Sequence, residues 1–200
     1  MAVYRLRAEG TTPGETFTFG LHATGAGGTA ADALTAWIAA LTAMWTDVTD
    51  GIQAQFTADI SIVAASAAEL DPSSGHQLTR VEDAVTLPGT ATGEPLPHEV
   101  AVVVSTRTDL ATRRGRGRFY LPPLAVSKVD GGRVATTSVT NLLNGAVLLI
   151  NTLQGGGYAP VIFHPDLTTT AINKVDVGDV FDVQRRRRNK LIEVRQTAGV

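Results

Sequence analysis

Two hundred residues, 44% of them hydrophobic and 18% charged, are enough to bury a real core, and this balance excludes an intrinsically disordered chain. There is no cysteine, so disulfides and thiolate metal sites are excluded, and no apolar run approaches the roughly 18 residues of a spanning helix. The net charge of −2 hides a split: residues 1–100 hold 3 Arg/Lys against 12 Asp/Glu, and residues 101–200 hold 14 against 7. Halves of opposite sign suit packing within one chain, and equally suit copies that meet acidic face on basic face.

Val3 to Arg7 and Thr16 to Leu21 both alternate apolar and polar residues, which predicts two half-buried strands joined by a turn at Thr11-Thr12-Pro13-Gly14. The start runs directly into the first of these strands, without the charged head and apolar run of a signal peptide, so synthesis in the cytoplasm is expected. After Gly25-Ala26-Gly27-Gly28, the residues Leu34, Trp37, Ile38, Leu41, Met44, Trp45 and Val48 recur at helical spacing. They predict an amphipathic helix at about 30–48, with Thr29 and Asp32 as acceptors for its first-turn amides.

Alternation returns over Phe56 to Ile62 and predicts a strand; Leu70 to Gly75 reads as a loop, and Leu78 to Leu87 as a further strand. The Pro- and Gly-rich stretch 88–97 is expected to be an exposed connection. Val100 to Val104 is continuously apolar, as in a strand covered on both faces, with Arg118 to Leu121 as its neighbour and a basic loop between them. A second helical stripe, Val139, Leu142, Leu143, Ala146, Ile150 and Leu153, predicts a helix at about 137–154, ended by Gly155-Gly156-Gly157. Val161 to Phe163 and Ile172 to Val183 add two or three strands, and residues 184–200 read as an extended tail. The expected class is α+β: one domain over 1–200, a mainly antiparallel or mixed sheet with two amphipathic helices packed on it.

The sequence offers little reactive chemistry. Gly25-Ala26-Gly27-Gly28-Thr29-Ala30 formally fits a dinucleotide-binding turn, but the preceding strand alternates and no acidic residue follows at the tip of the next strand. A plain helix entry is the reading preferred. His22, His76, His98 and His164 do not fall at metal-ligand spacing. His98 and Asp109 lack a serine context that would make them part of a triad, and His164 at a strand end is the one residue around which a small-molecule pocket is conceivable. No catalytic residue, metal ligand or cofactor is assigned.

The basic segments are more distinctive. Arg113, Arg114, Arg116 and Arg118 cluster in and after a loop, and Arg185, Arg186, Arg187 and Arg188 follow a strand. They can dock on an acidic protein surface, neutralise nucleic-acid phosphates, or form a solvated edge. Protein contact is preferred over nucleic acid because the first half of the chain carries an excess of carboxylates.

Three segments carry a family resemblance: Leu96 to Thr108, Arg116 to Pro122, and Val180 to Leu191 with its four arginines. Together, about a sixth of the chain, they resemble small virion-associated proteins of tailed bacteriophages, and the Ala-, Thr-, Gly- and Arg-rich vocabulary is similar to that of phages infecting actinobacteria. The resemblance implies a non-enzymatic structural role in the virion, in tail, neck or minor head, with other copies and other virion proteins as partners. The eight arginines are then expected at interfaces. The rival readings are a nucleic-acid-binding module using the same arginines and a small-molecule enzyme.

Overall fold

The computed structural model describes residues 1–12, 15–49, 51–56, 58–90, 136–172 and, as backbone only, the strands at 100–107, 116–121, 128–129, 133–134, 174–182 and 194–197. Helix residues 136–139 are likewise described as backbone only. The expected α+β class is what the structure has: antiparallel sheet with both helices packed against it.

Strands β1 (Ala2–Thr12) and β2 (Glu15–Gly25) form a long antiparallel hairpin in unbroken register from Ala2↔Gly25 to Thr12↔Glu15. Helix α1 (Ala30–Thr46) follows, then a single 3-10 turn (Gln53–Gln55), then β3 (Ser61–Leu70) and β4 (Gln77–Pro88). Strands β5 (Val100–Arg107), β6 (Arg116–Leu121), β7 (Lys128–Val129) and β8 (Arg133–Val134) precede helix α2 (Thr136–Gly155). The chain continues through β9 (Tyr158–Phe163), β10 (Thr169–Ala171), β11 (Lys174–Asp182) and β12 (Val194–Thr197).

The main sheet has six antiparallel strands in the order β10-β9-β2-β1-β3-β4. A second sheet, which the sequence did not announce as separate, has the order β12-β11-β5-β6, and β7-β8 is a short ribbon. The pairing of β5 with β6 is the neighbour relation that the apolar run and the Arg118–Leu121 segment predict. Within the stretch read as a tail, Val194–Thr197 pairs with β11 as a strand.

Alternation decides which face of the main sheet is buried. Tyr4, Leu6 and Ala8 of β1 share a face with Phe19, Leu21 and Ala23 of β2 and with Ala65 and Ala67 of β3, and all are buried under the helices. From above, α1 contributes Leu34, Trp37, Leu41, Met44 and Trp45, and α2 contributes Leu142, Leu143, Ala146, Leu149, Ile150 and Leu153. Small sheet residues opposite large helix residues let the two layers close at high density. Both indoles are fully buried and both satisfy their N–H: Trp37 Nε1 donates to the Arg7 carbonyl at 2.9 Å, and Trp45 Nε1 to the Pro88 carbonyl at 2.8 Å.

The first helix is shorter than its apolar stripe. Asp47 turns the chain out of the helix and its Oδ1 accepts from the Thr49 N–H and Oγ1, so Val48 no longer follows the helical period and is 100% exposed. The end of α2 falls where the glycines predict, with Gly157 at φ +86°, a left-handed conformation that glycine adopts without strain.

The strand expected over Phe56–Ile62 is displaced. Residues 53–56 form the 3-10 turn and its cap, and the strand runs from Ser61 to Leu70 through Ala64-Ala65-Ser66-Ala67-Ala68. Small residues carry little strand propensity, so pairing with β1 on one side and β4 on the other makes this segment a strand.

Candidate assembly surface

The face of the main sheet opposite the helices collects the charges of β1 and, apart from Asp83, those of β4. Register places His22 of β2, Arg5 of β1, Ala68 of β3 and Arg80 of β4 in one row across the sheet. The next row is Gly20, Arg7, Ser66 and Glu82, and the next is Thr18, Glu9, Ala64 and Ala84. All three basic residues of the acidic first half therefore share this one face. Because β3 contributes only Ala64, Ser66 and Ala68, the face sinks there into a trough between charged walls. Arg7, Glu9, Thr18, Ser66, Arg80 and Glu82 line it, around a volume of about 60 Å³. Metabolite pockets occupy some 300–1,000 Å³, so this space takes the heads of one or two side chains and not a metabolite.

Electrostatics follow from the crowding of cations. Burial, then Arg7 and Arg80 nearby, lower the pKa of Arg5; burial, then Arg5 and Arg7, lower that of His22. His22 packs its ring 5.5 Å from that of Phe163. Arg5 donates from Nη2 to Gln77 Oε1 at 2.6 Å, while its Nε is buried with no hydrogen-bond partner. Arg80 forms an ion pair with Glu82, both side chains 52% exposed. Arg7 has no ion pair among the described residues.

One end of this face is partly covered by the turn between β3 and β4. Asp71 holds it together by accepting from Ser73 N, Ser73 Oγ and Ser74 Oγ, bonds that bring its pKa down to about 2. Beyond the turn, β4 is the outer edge of the sheet. Nothing among the described residues pairs with its free side, most of its residues are exposed, and Leu78 is 60% exposed. Its bulges fall near residue 78 and between Ala84 and Leu87, which leaves Thr79–Ala84 as a regular central segment.

The arginines singled out in the sequence are placed only in part. Arg116 and Arg118 lie on β6, opposite Arg107 and Ser105 of β5. Arg113, Arg114, Arg185, Arg186, Arg187 and Arg188 lie outside the described residues, as do His98 and Asp109. The cluster that the structure does bring together, Arg5, Arg7 and Arg80, had half a signal: residues two apart in an alternating strand share a face. That Arg80 joins them depends on strand order, which no local pattern encodes.

The glycine-rich entry to α1 is filled by the protein itself. Gly28 sits at φ +125°, its carbonyl accepts from Tyr4 Oη at 2.8 Å, and Tyr158 Oη lies 2.7 Å from where a Cβ would stand. Thr29 and Asp32 form a reciprocal capping box, with Asp32 Oδ2 accepting from Thr29 N at 2.8 Å and Thr29 Oγ1 accepting from Asp32 N. The capping box uses the helix-start amides that a phosphate would need, and places the Asp32 carboxylate beside them. Burial, first of all, raises the pKa of both tyrosines. His164 is likewise engaged: its Nε2 is 2.9 Å from Thr170 Oγ1, and its N–H donates to the Thr168 carbonyl in the β9–β10 turn. Among the described residues no group of His, Asp or Glu is arranged to hold a metal ion, and no helix is long and apolar enough to cross a membrane.

No protein-family model matches the chain, and neither a curated protein nor a solved structure matches it significantly.

Proposed function

We propose that this chain is a non-enzymatic structural subunit of a tailed-phage particle, incorporated in several copies through protein–protein contacts. The observation that carries the assembly reading is the open sheet face, where Arg5, Arg7 and Arg80 stand among Glu9 and Glu82 beside a strand edge that no described strand pairs with. Mixed charge around a shallow trough with a small-residue floor suits protein contact, because each guanidinium has a carboxylate as its natural partner and each carboxylate can pair in turn. The same carboxylates repel phosphate, which disfavours nucleic acid on this face. Support for the virion comes from the resemblance over residues 96–108, 116–122 and 180–191.

Two experiments test the proposal. Light scattering of the purified chain should show a species larger than a monomer whose size falls as salt is raised. Reversing the charge of Arg113, Arg114, Arg116 and Arg118, or of Arg185 to Arg188, should block incorporation into particles while the protein stays folded. Normal occupancy of those variants in purified particles would refute the role given to the arginines. A chain that is monomeric at every salt concentration and absent from particles would refute the proposal as a whole.

A further inference from the structure

Building on that reading, we infer that two copies of the chain join through the free edge of β4, antiparallel, with Val81 of one copy opposite Val81 of the other. The inference starts from what an unpaired edge presents: a row of N–H and C=O groups that another strand can satisfy. The regular segment Thr79–Ala84 has bulges at both ends, so the usable edge is short and its register is confined.

Symmetry and charge then select that register. A two-fold axis normal to the sheet keeps both pairs of helices on one side, and directly opposed residues must then come from the same face. Arg80, Glu82 and Ala84 lie on the open face; Thr79, Val81 and Asp83 lie on the helix side, in rows with Glu69, Ala67 and Ala65 of β3. Any register centred on a residue meets this condition; centres at Thr79 and Ala84 pair into the bulges, which leaves four. Centring on Arg80 sets two arginines opposite each other, centring on Glu82 sets two glutamates opposite each other, and centring on Asp83 sets two aspartates opposite each other. Like charges directly opposed across strands are destabilising. Centring on Val81 instead sets Arg80 against the second copy's Glu82 and Glu82 against its Arg80. On the other face the Thr79 hydroxyl meets the Asp83 carboxylate twice. The Arg80–Glu82 ion pair within one chain becomes part of a four-membered network of alternating charge.

Five paired residues from each copy bury well under the roughly 1,200 Å² of a stable interface. The contact is therefore weak in isolation, and it suits subunits that other contacts hold together. It is also isologous and uses up the edge, so copies joined in this way come in pairs.

The absence of native cysteine makes the test direct. Val81→Cys should form a disulfide-linked dimer on mild oxidation, because the residue faces its own counterpart. Asp83→Cys should stay at the background of random collision, because its counterpart lies four residues away along the strand. In parallel, Arg80→Glu and Glu82→Arg should each weaken self-association roughly tenfold, and the double swap R80E/E82R should restore it. Circular dichroism confirms that each variant is folded; should Val81→Cys fail to fold, the charge swap decides alone. Equal cross-linking at both positions, no cross-linking, or no recovery in the double swap overturns the inference. Self-association that survives all of these changes leaves the assembly proposal standing with a different contact, whereas a monomer that never enters particles removes both.

Discussion

Replacing Trp45 by Phe probes how β4 is held against the core. The indole stacks on Phe56 with ring centroids 4.7 Å apart and donates to the Pro88 carbonyl at the end of β4. The smaller ring keeps the stack but loses the N–H and two ring carbons. The hydrogen bond is worth about 1 kcal/mol net. The buried carbons add about 0.8 kcal/mol each. The expected loss is about 2.5 kcal/mol, or roughly 5–10 °C in Tm for a chain of this size. Urea unfolding measures it, followed by the fluorescence of Trp37, which becomes the sole tryptophan. The effect should also be local: hydrogen exchange at Gly89, whose N–H donates to the Ile60 carbonyl, should accelerate more than at the β1–β2 hairpin. A loss below about 0.5 kcal/mol, the lower end for a single hydrogen bond, would refute the reasoning. It would mean that water replaces the indole at Pro88 and that the core closes over the missing carbons.

Two further outcomes are expected. Thr29→Ala removes one half of the capping box at the start of α1 and should cost about 1 kcal/mol, measured by chemical unfolding; an unchanged midpoint would show that Asp32 caps the helix alone. His22 has its pKa held below the ordinary 6.5 in the folded chain, by burial first and then by Arg5 and Arg7. The unfolded chain therefore binds a proton that the folded one refuses, and its contribution to stability is present above 6.5 and lost as pH falls below it. His22→Gln should flatten that part of the stability–pH curve, and an identical slope in the variant would exclude His22 as its source.

Where side chains declare their environment by periodicity, the sequence was readable. The alternation of Val3 to Arg7 and Thr16 to Leu21 falls inside β1 and β2, and the stripes that begin at Leu34 and Val139 fall inside α1 and α2, except that the first overshoots its helix at Val48. β3 is the counterexample. Its run of alanine and serine has no hydrophobic contrast to show a period, and its identity as a strand comes from its neighbours. The candidate surface is illegible for a related reason. Arg5 and Arg7 could be placed on one face from spacing, but Arg80 and Glu82 join them only through the register of β3 between them. Order across a sheet is a long-range property, and local pattern constrains it weakly.

That long-range order also bears on how the chain is made. Residues 22–25 of β2 pair with residues 158–161 of β9, so this edge stays open on the ribosome until most of the chain has been synthesised. The apolar flank of α1 waits equally long for Leu142, Leu149 and Leu153 of α2. The β1–β2 hairpin and α1 can form early, but they cannot complete a core. During that interval β2 and β4 each offer a bare strand edge to neighbouring nascent chains, a hazard inherent in folds that close late. Translation speed over residues 90–160, set by codon choice, should therefore affect the yield of folded protein more than speed over the first 90.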